Sequence, residues 1–369
     1  MVSGSPPHAV LLSGPEGVGK TTLALDLAAG LLCTAEDPSG RPCRACRACR
    51  MVEHGNHPDL HWLKPEGPGG QIVIGGSDAR YRGVRDLIAD LALLPVEGGA
   101  RVAIVERADR MNEDAQSALL KTLEEPPAGV TIVLCANDEE QLLPTVRSRC
   151  ARVRLGPVGA RAVEEILAEQ GLADAPAAAR FGRLAGGRPG LAIAYARAPE
   201  AATVRAELAR ALLDLVDARP SGRLEALRTL VPRTTDLGVL LERGGQALED
   251  PAGAPEAATD ATATDGPAAD DGARRVPAAE RRRAAALLIA VWVDVARDLA
   301  LVAAGEQTGL RDPSLLEEYQ LIARDIPAGD LAAFLERLGR AGELLEVNVA
   351  PELLLDALVL AWPARTQAA

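Results

Sequence analysis

The chain has 369 residues, 48% hydrophobic, 25% charged and 2% aromatic, with a formal net charge of −12. This length accommodates two or three domains, and no apolar run approaches the 18 or more residues of a membrane-spanning helix. The acidic balance and the scarcity of aromatic rings exclude a protein that grips nucleic acid through its overall field or through a row of stacking platforms.

The opening residues, Met1-Val2-Ser3-Gly4-Ser5-Pro6-Pro7, have neither a basic region nor a long apolar core, so no signal peptide is expected and a cytoplasmic location is. The first apolar run, Ala9-Val10-Leu11-Leu12, predicts a strand, and Gly14-Pro15-Glu16-Gly17-Val18-Gly19-Lys20-Thr21 behind it fits G-x-x-x-x-G-K-[ST] at every fixed position. In such a loop Gly14, Gly17 and Gly19 let the backbone turn its N–H groups onto phosphate oxygens. Lys20 supplies a point charge for the β/γ-phosphates, and Thr21 offers a hydroxyl to Mg²⁺. Thr22 completes the candidate set and begins a stretch of good helix formers. ATP or ADP with Mg²⁺ is the expected ligand.

Where that helix should end, four cysteines cluster as C-x9-C-x2-C-x2-C: Cys33, Cys43, Cys46 and Cys49. In a reducing compartment this spacing reads as a tetrahedral structural Zn²⁺ site ahead of an iron–sulfur cluster or a redox pair. Four thiolates leave no open position for water, which argues against catalytic zinc. Arg41, Arg44, Arg47 and Arg50 interleave with the ligands, and charge compensation is favoured over a basic knob for DNA. His54, His57 and His61 are read as ordinary polar positions, with Asn56-His57-Pro58-Asp59 a turn signal.

The next buried strand, Arg101-Val102-Ala103-Ile104-Val105, is followed by Glu106-Arg107-Ala108-Asp109. Hydrolysing proteins with this loop place an acidic pair here, one carboxylate for the metal and one to polarise water. Glu106 can serve the metal, but Arg107 cannot accept a proton. Asp109 stands two residues away, so intrinsic hydrolysis is expected to be absent or feeble. Asn112 predicts an N-cap for a helix with an apolar stripe of Leu119, Leu120 and Leu123, stopped by Pro126 and Pro127. A third strand, Val130 to Cys135, makes Cys135 a small buried residue. Asn137 behind it either contacts a γ-phosphate or caps the following turn.

Together the phosphate loop, the cysteine insert, His57-Pro58-Asp59, the helix Ala118-Leu119-Leu120-Lys121-Thr122-Leu123-Glu124-Glu125-Pro126-Pro127 and Ser148-Arg149-Cys150 resemble the bacterial sliding-clamp loader family of the DNA polymerase III holoenzyme. The motor (gamma/tau) and delta-prime types share these motifs. Three departures favour the delta-prime type: Glu106-Arg107 in place of an acidic pair, Gly187-Arg188-Pro189-Gly190 in the lid, and Glu346 to Asp356 near the C-terminus. The resemblance implies an α/β AAA+ P-loop domain with a parallel sheet, a small helical lid and an all-α collar. It implies assembly with gamma/tau and delta subunits as a hetero-pentamer that loads the sliding clamp on primer-template DNA, with no membrane partner. It also implies that Arg149 acts in trans as an arginine finger on a neighbour's ATP; on the residues alone, Arg149 pairs with a nearby carboxylate. The adenine-contacting segment of that family precedes the position of His8, where this chain has seven residues, and weakened nucleotide affinity is expected.

The expected domains are 1–155 with the insert at 33–49, a lid over 156–200, and a collar over 201–369. Helices are read at 158–170 and 175–185, and alanine- and leucine-rich periodic segments at roughly 201–217, 221–247, 280–304, 313–325 and 328–368. Residues 249–279, rich in Ala, Pro, Gly, Asp and Thr, are expected to form a disordered acidic loop. The competing functions are a hydrolysing motor subunit and a zinc-dependent DNA-binding module. No paired carboxylates of a polymerase are visible.

Overall fold

The computed structural model describes residues 7–67, 70–76, 80–97, 99–246, 277–346 and 349–365. They form two compact units, one of residues 1–159 with 188–190 and one of residues 160–187 with 191–369.

The first unit is a five-stranded sheet flanked by helices. Its strands are β1 (Ala9–Ser13), β2 (Leu60–Leu63), β3 (Arg101–Val105), β4 (Val130–Ala136) and β5 (Ala151–Arg154), in the order β2-β3-β4-β1-β5. Every pairing is parallel, with Leu11 opposite both Leu134 and Arg152, and Ala103 opposite Ile132. The three strands expected from the sequence, β1, β3 and β4, are buried along their whole length, as a parallel sheet covered on both faces requires. Alternate residues serve opposite faces. Leu11, Val105 and Leu134 pack with Leu119 and Leu123, whereas Leu12, Ile104 and Val133 pack with Ala24 and Ala28. The edge strands β2 and β5 carry no comparable run: β2 is only Leu60-His61-Trp62-Leu63, and all four residues of β5 are exposed, so neither gave a strand signal.

Helices α1 (Lys20–Leu32), α2 (Arg47–Glu53), α3 (Val84–Leu91), α4 (Glu113–Glu124) and α5 (Pro144–Arg147) complete this unit. Asn112 caps α4 as expected, its side chain accepting the Ala115 N–H at 2.9 Å. The His57-Pro58-Asp59 turn holds more than a bend. The buried Asp59 carboxylate accepts the N–H groups of Val96 and Glu97 at 2.7 and 2.8 Å, tying the segment before β3 to the start of β2.

The second unit is helical: α6 (Ala160–Glu169), α7 (Ala175–Ala185), α8 (Pro189–Arg197, whose first two residues belong to the first unit), α9 (Pro199–Asp214), α10 (Pro220–Gln246), α11 (Ala278–Ala303), α12 (Leu316–Ala323), α13 (Ala328–Glu346) and α14 (Pro351–Ala361). The segment expected to run over 328–368 is two helices. Pro351 takes the first turn of α14, and Ala350 before it is extended at ψ 119°, because the proline ring disfavours a helical residue on its N-terminal side. Of the acidic stretch 249–279, residues 249–276 lie outside the described residues, and Ala278 already begins α11. Trp292, Phe334 and Trp362 meet at centroid distances of 4.8 to 5.5 Å in this unit's core. The parallel α/β sheet followed by a helical C-terminal region agrees with the expected fold class. Among the described residues no helix is long and apolar enough to cross a membrane.

Candidate functional site

The phosphate loop runs from β1 into α1. Gly14, Gly17 and Gly19 all adopt positive φ, at 148°, 77° and 104°. At Gly14 a Cβ would lie 2.1 Å from the Leu155 carbonyl oxygen, so only glycine allows β5 and the loop to approach this closely. Helix α1 begins without a side-chain cap and without an acidic residue in its first turn, which leaves its N–H groups and positive dipole end to an anion. Lys20 is buried, and its Nζ donates to the carbonyls of Gly14 and Pro15 at 2.7 and 2.9 Å, so the ammonium is fixed at the loop. Burial holds its pKa below the usual lysine value, and the positive field of Arg107 acts in the same direction. Thr21 is half-buried and Thr22 exposed at the start of the same helix. Arg188 to Gly190, part of this first unit, reach the loop, with the Gly190 N–H donating to the Gly17 carbonyl at 2.8 Å.

The end of β3 departs from the acidic pair of a hydrolysing site. Glu106 stands 3.8 Å from the Lys64 ammonium. Arg107 has φ 53°, a left-handed conformation in a residue with a long side chain, which costs on the order of 1–3 kcal/mol and is held by its surroundings. Its guanidinium lies 3.8 Å from Glu16 of the loop and 3.3 Å from Asp109. Asp109 is engaged on both oxygens: Oδ2 faces Arg107, and Oδ1 accepts the Asn137 N–H at 2.8 Å. A carboxylate held by a cation and an amide is not poised to take a proton from water. Magnesium is held by one or two carboxylates beside the substrate phosphates; here the Thr21 hydroxyl and the Glu106 carboxylate are the available donors, Glu106 faces the Lys64 ammonium, and the Arg107 guanidinium at the same strand end disfavours a further cation.

Asn137 does not cap the turn behind β4. The cap is Asp138, whose side chain accepts the Glu140 N–H at 2.9 Å. Asn137 lines a cavity of about 320 Å³ with Ser13, Gly14, Glu140, Arg154 and Leu155. Cys135 is buried, and burial pushes its thiol up to about 12, as expected of a small core residue.

The four cysteines converge. One sulfur from each of Cys33, Cys43, Cys46 and Cys49 lies within 4.8 Å of the others, and Cys33 and Cys46 are 4.0 Å apart. Tetrahedral zinc with Zn–S of about 2.3 Å separates its sulfurs by roughly 3.8 Å, so the set fits a metal ion. The Cys46 N–H points at Cys43 Sγ at 3.3 Å and the Cys49 N–H at Cys46 Sγ at 3.4 Å. The Cys49 N–H holds Cys46 down to about 5, whereas burial pushes Cys49 up to about 12. Two of the interleaved arginines pair with carboxylates of this unit, Arg44 with Asp26 at 3.0 Å and Arg47 with Glu97 at 2.6 Å, whereas Arg41 donates to the Ala35 carbonyl at 2.9 Å. His57 also faces Glu97, at 3.8 Å, and His54 hydrogen-bonds the Arg50 carbonyl, which keeps both apart from the sulfur cluster.

Arg149 follows α5 at a distance from the phosphate loop in sequence. Its guanidinium pairs with Glu124 at the end of α4 and donates to the Thr145 carbonyl at 2.9 Å. A cavity of about 560 Å³ borders it, lined by His8, Leu123, Glu124, Ser148 and Arg149. Residue spacing pointed to a carboxylate partner for Arg149 without saying which. Glu16 beside Arg107, and Glu139 beneath Ser13 and Arg154, were not legible in the sequence because each pairs with a residue placed by folding.

Residues 1–159, nearly the whole of the first unit, match the family described as DNA polymerase III, delta subunit. The delta-prime subunit of Pseudomonas aeruginosa DNA polymerase III is 40% identical over 184 residues, 49% of this chain and 53% of that protein. The Escherichia coli delta-prime subunit is 36% identical over 188 residues, 51% of this chain and 54% of that protein. The tau subunit of Salmonella typhimurium is 32% identical over 175 residues, 46% of this chain and 26% of that protein. The chain thus spans about half the length of the delta-prime relatives it matches. Among solved structures, a DNA polymerase III gamma subunit-related protein from Thermotoga maritima aligns with 96% of this chain and 93% of its own, at 19% identity and a TM-score of 0.39. Residues 1–159 thus match the family described as DNA polymerase III, delta subunit, and about half of the chain is similar to delta-prime and tau subunits.

Proposed function

We propose that the chain is a stationary delta-prime-type subunit of a bacterial clamp loader. It assembles with motor (gamma/tau) and delta subunits to load a sliding clamp on primed DNA, and it does not itself turn over ATP. The observation that carries this reading is Arg107 at the end of β3, with Asp109 already held by Arg107 and the Asn137 N–H. A phosphate loop with intact Gly14, Gly17, Gly19, Lys20 and Thr21 therefore lacks a group to activate water. In this reading Arg149 leaves Glu124 to meet the γ-phosphate of ATP on a neighbouring motor subunit, where a guanidinium offsets charge in the transition state. Structural Zn²⁺ on Cys33, Cys43, Cys46 and Cys49 pins the segment between α1 and α2. Residues 156–200 serve as a lid and 201–369 as a helical collar, in a cytoplasmic complex.

The test is the clamp- and primed-DNA-stimulated ATPase rate of a loader reconstituted with this chain as wild type or Arg149→Ala, with the chain alone as control. Loss of an arginine finger costs about 10³–10⁵ in rate at the site it serves, diluted in the total by the other motor sites. A marked drop with a silent isolated chain supports the stationary subunit. The intact phosphate loop favours the hydrolysing motor as the second reading; turnover by the isolated chain, lost in Lys20→Ala and unaffected by Arg149→Ala, would establish it.

A further inference from the structure

We propose that the phosphate loop binds a nucleoside diphosphate or triphosphate without a divalent metal, the Arg107 guanidinium holding the charge that Mg²⁺ neutralises in hydrolysing sites. This deepens the functional reading and rests on the loop binding nucleotide at all. Three observations converge on it. First, Arg107 stands at the strand end beside the loop, 3.8 Å from Glu16, in the position of a water-polarising carboxylate, so a fixed cation is already present next to the site of the phosphates. Second, the backbone is held left-handed at φ 53° for this residue, a conformation that aims the side chain between Glu16 and Asp109 and persists only where the surroundings enforce it. Third, both contacts of the guanidinium are long, 3.8 Å to Glu16 and 3.3 to 3.4 Å to Asp109. The Asp109 contact holds the group near the loop, and the longer contact to the exposed Glu16 exchanges readily for a shorter charge-assisted bond to phosphate.

Lys20 and the uncapped first turn of α1 supply the rest of the cradle. The planar guanidinium presents a fork of donors to phosphate oxygens, which a carboxylate through a hydrated ion cannot do. The ligand is held and its hydrolysis is not promoted, which suits a subunit whose nucleotide is structural. It follows that affinity is indifferent to chelators, unlike that of motor subunits.

Calorimetric titration of the full-length chain with ADP and with ATP, in EDTA or in excess magnesium chloride, tests the proposal. The wild-type Kd is expected to agree within about threefold between the two conditions. Arg107→Ala is expected to weaken binding in EDTA by about tenfold or more, and Arg107→Lys, which keeps the charge and loses the fork, to fall between. Arg107→Glu is expected to bind measurably only with magnesium. Circular dichroism and thermal melting of each variant establish folding independently of affinity. Wild-type binding that tightens tenfold or more with magnesium, or Arg107→Ala binding equal to wild type in EDTA, overturns the proposal and leaves the loop a nucleotide site. Absence of binding in both buffers overturns the nucleotide reading of the loop and this proposal with it.

Discussion

The guanidinium of Arg149 is ion-paired to the carboxylate of Glu124, across the gap between the end of α4 and the segment that follows α5. Both side chains are partly exposed, at 33% and 48%. Pairs this wet contribute about 0–1 kcal/mol. Arg149→Ala and Glu124→Gln should therefore each leave the unfolding free energy of the isolated chain within about 1 kcal/mol of wild type in urea. A larger loss would make Arg149 a structural residue and remove the basis for reading its ATPase effect as catalysis.

The sulfur cluster predicts a bound metal with a defined consequence of its removal. Elemental analysis of the purified protein should find a single zinc per chain, released by a strong chelator after acidification, because thiolates must be free of protons to bind. Cys49→Ser removes a buried ligand and should release the metal. It should also speed proteolytic cleavage between α1 and α2, where the cluster draws Cys33 and Cys43 together. Retention of zinc in that variant would place the ion elsewhere.

Glu139 predicts a pH-dependent contribution to stability. Hydrogen bonds from Arg154 hold its carboxyl below the usual glutamate value, against the opposing effect of burial, and the Ser13 hydroxyl adds a further bond at 3.0 Å. A depressed folded pKa contributes stability above the unfolded carboxylate pKa, and that contribution is lost as pH falls through the folded value. Glu139→Gln should cost about 1–2 kcal/mol at neutral pH, discounted for the exposed Arg154. The difference from wild type should shrink to nothing in strong acid. A pH-independent difference in chemical denaturation would show that packing, not charge, is at stake.

Asp59 accepts two backbone N–H groups, those of Val96 and Glu97. Asp59→Ala removes the acceptor of both and takes the carboxylate from beside the buried Arg101, 3.6 Å away. The expected cost is about 2–4 kcal/mol, read as a fall in the denaturation midpoint. Hydrogen exchange should quicken over the segment Val96 to Arg101 before it quickens elsewhere. A change smaller than about 1 kcal/mol would mean that water replaces the carboxylate there.

Much of the first unit was legible because its signals are local. The apolar runs of β1, β3 and β4, the glycines around Lys20, the cap at Asn112 and the prolines behind α4 each act within a few residues, so spacing alone carried them. Strands β2 and β5 escaped because an edge strand such as Ala151-Arg152-Val153-Arg154 needs no apolar alternation: hydrogen bonds to β1 fix it, and those belong to the sheet. The division of 328–368 into α13 and α14 was available in Pro351, but the apolar periodicity on either side masked it.

The order of Cys33, Cys43, Cys46 and Cys49 specified a metal-sized cluster before any coordinates, since the chain cannot spread two-residue spacings far apart. The replacement of an acid by Arg107 likewise followed from the sequence, because the side chain's chemistry is fixed by its identity. Which groups Arg107 meets was decided by folding. Glu16, Asp109 and the Asn137 N–H come from three separate turns, and only the parallel packing of β1, β3 and β4 gathers those turns at one edge of the sheet. Electrostatic and hydrogen-bonding partners act over a few ångströms of space, and distance along the chain carries almost no information about that separation.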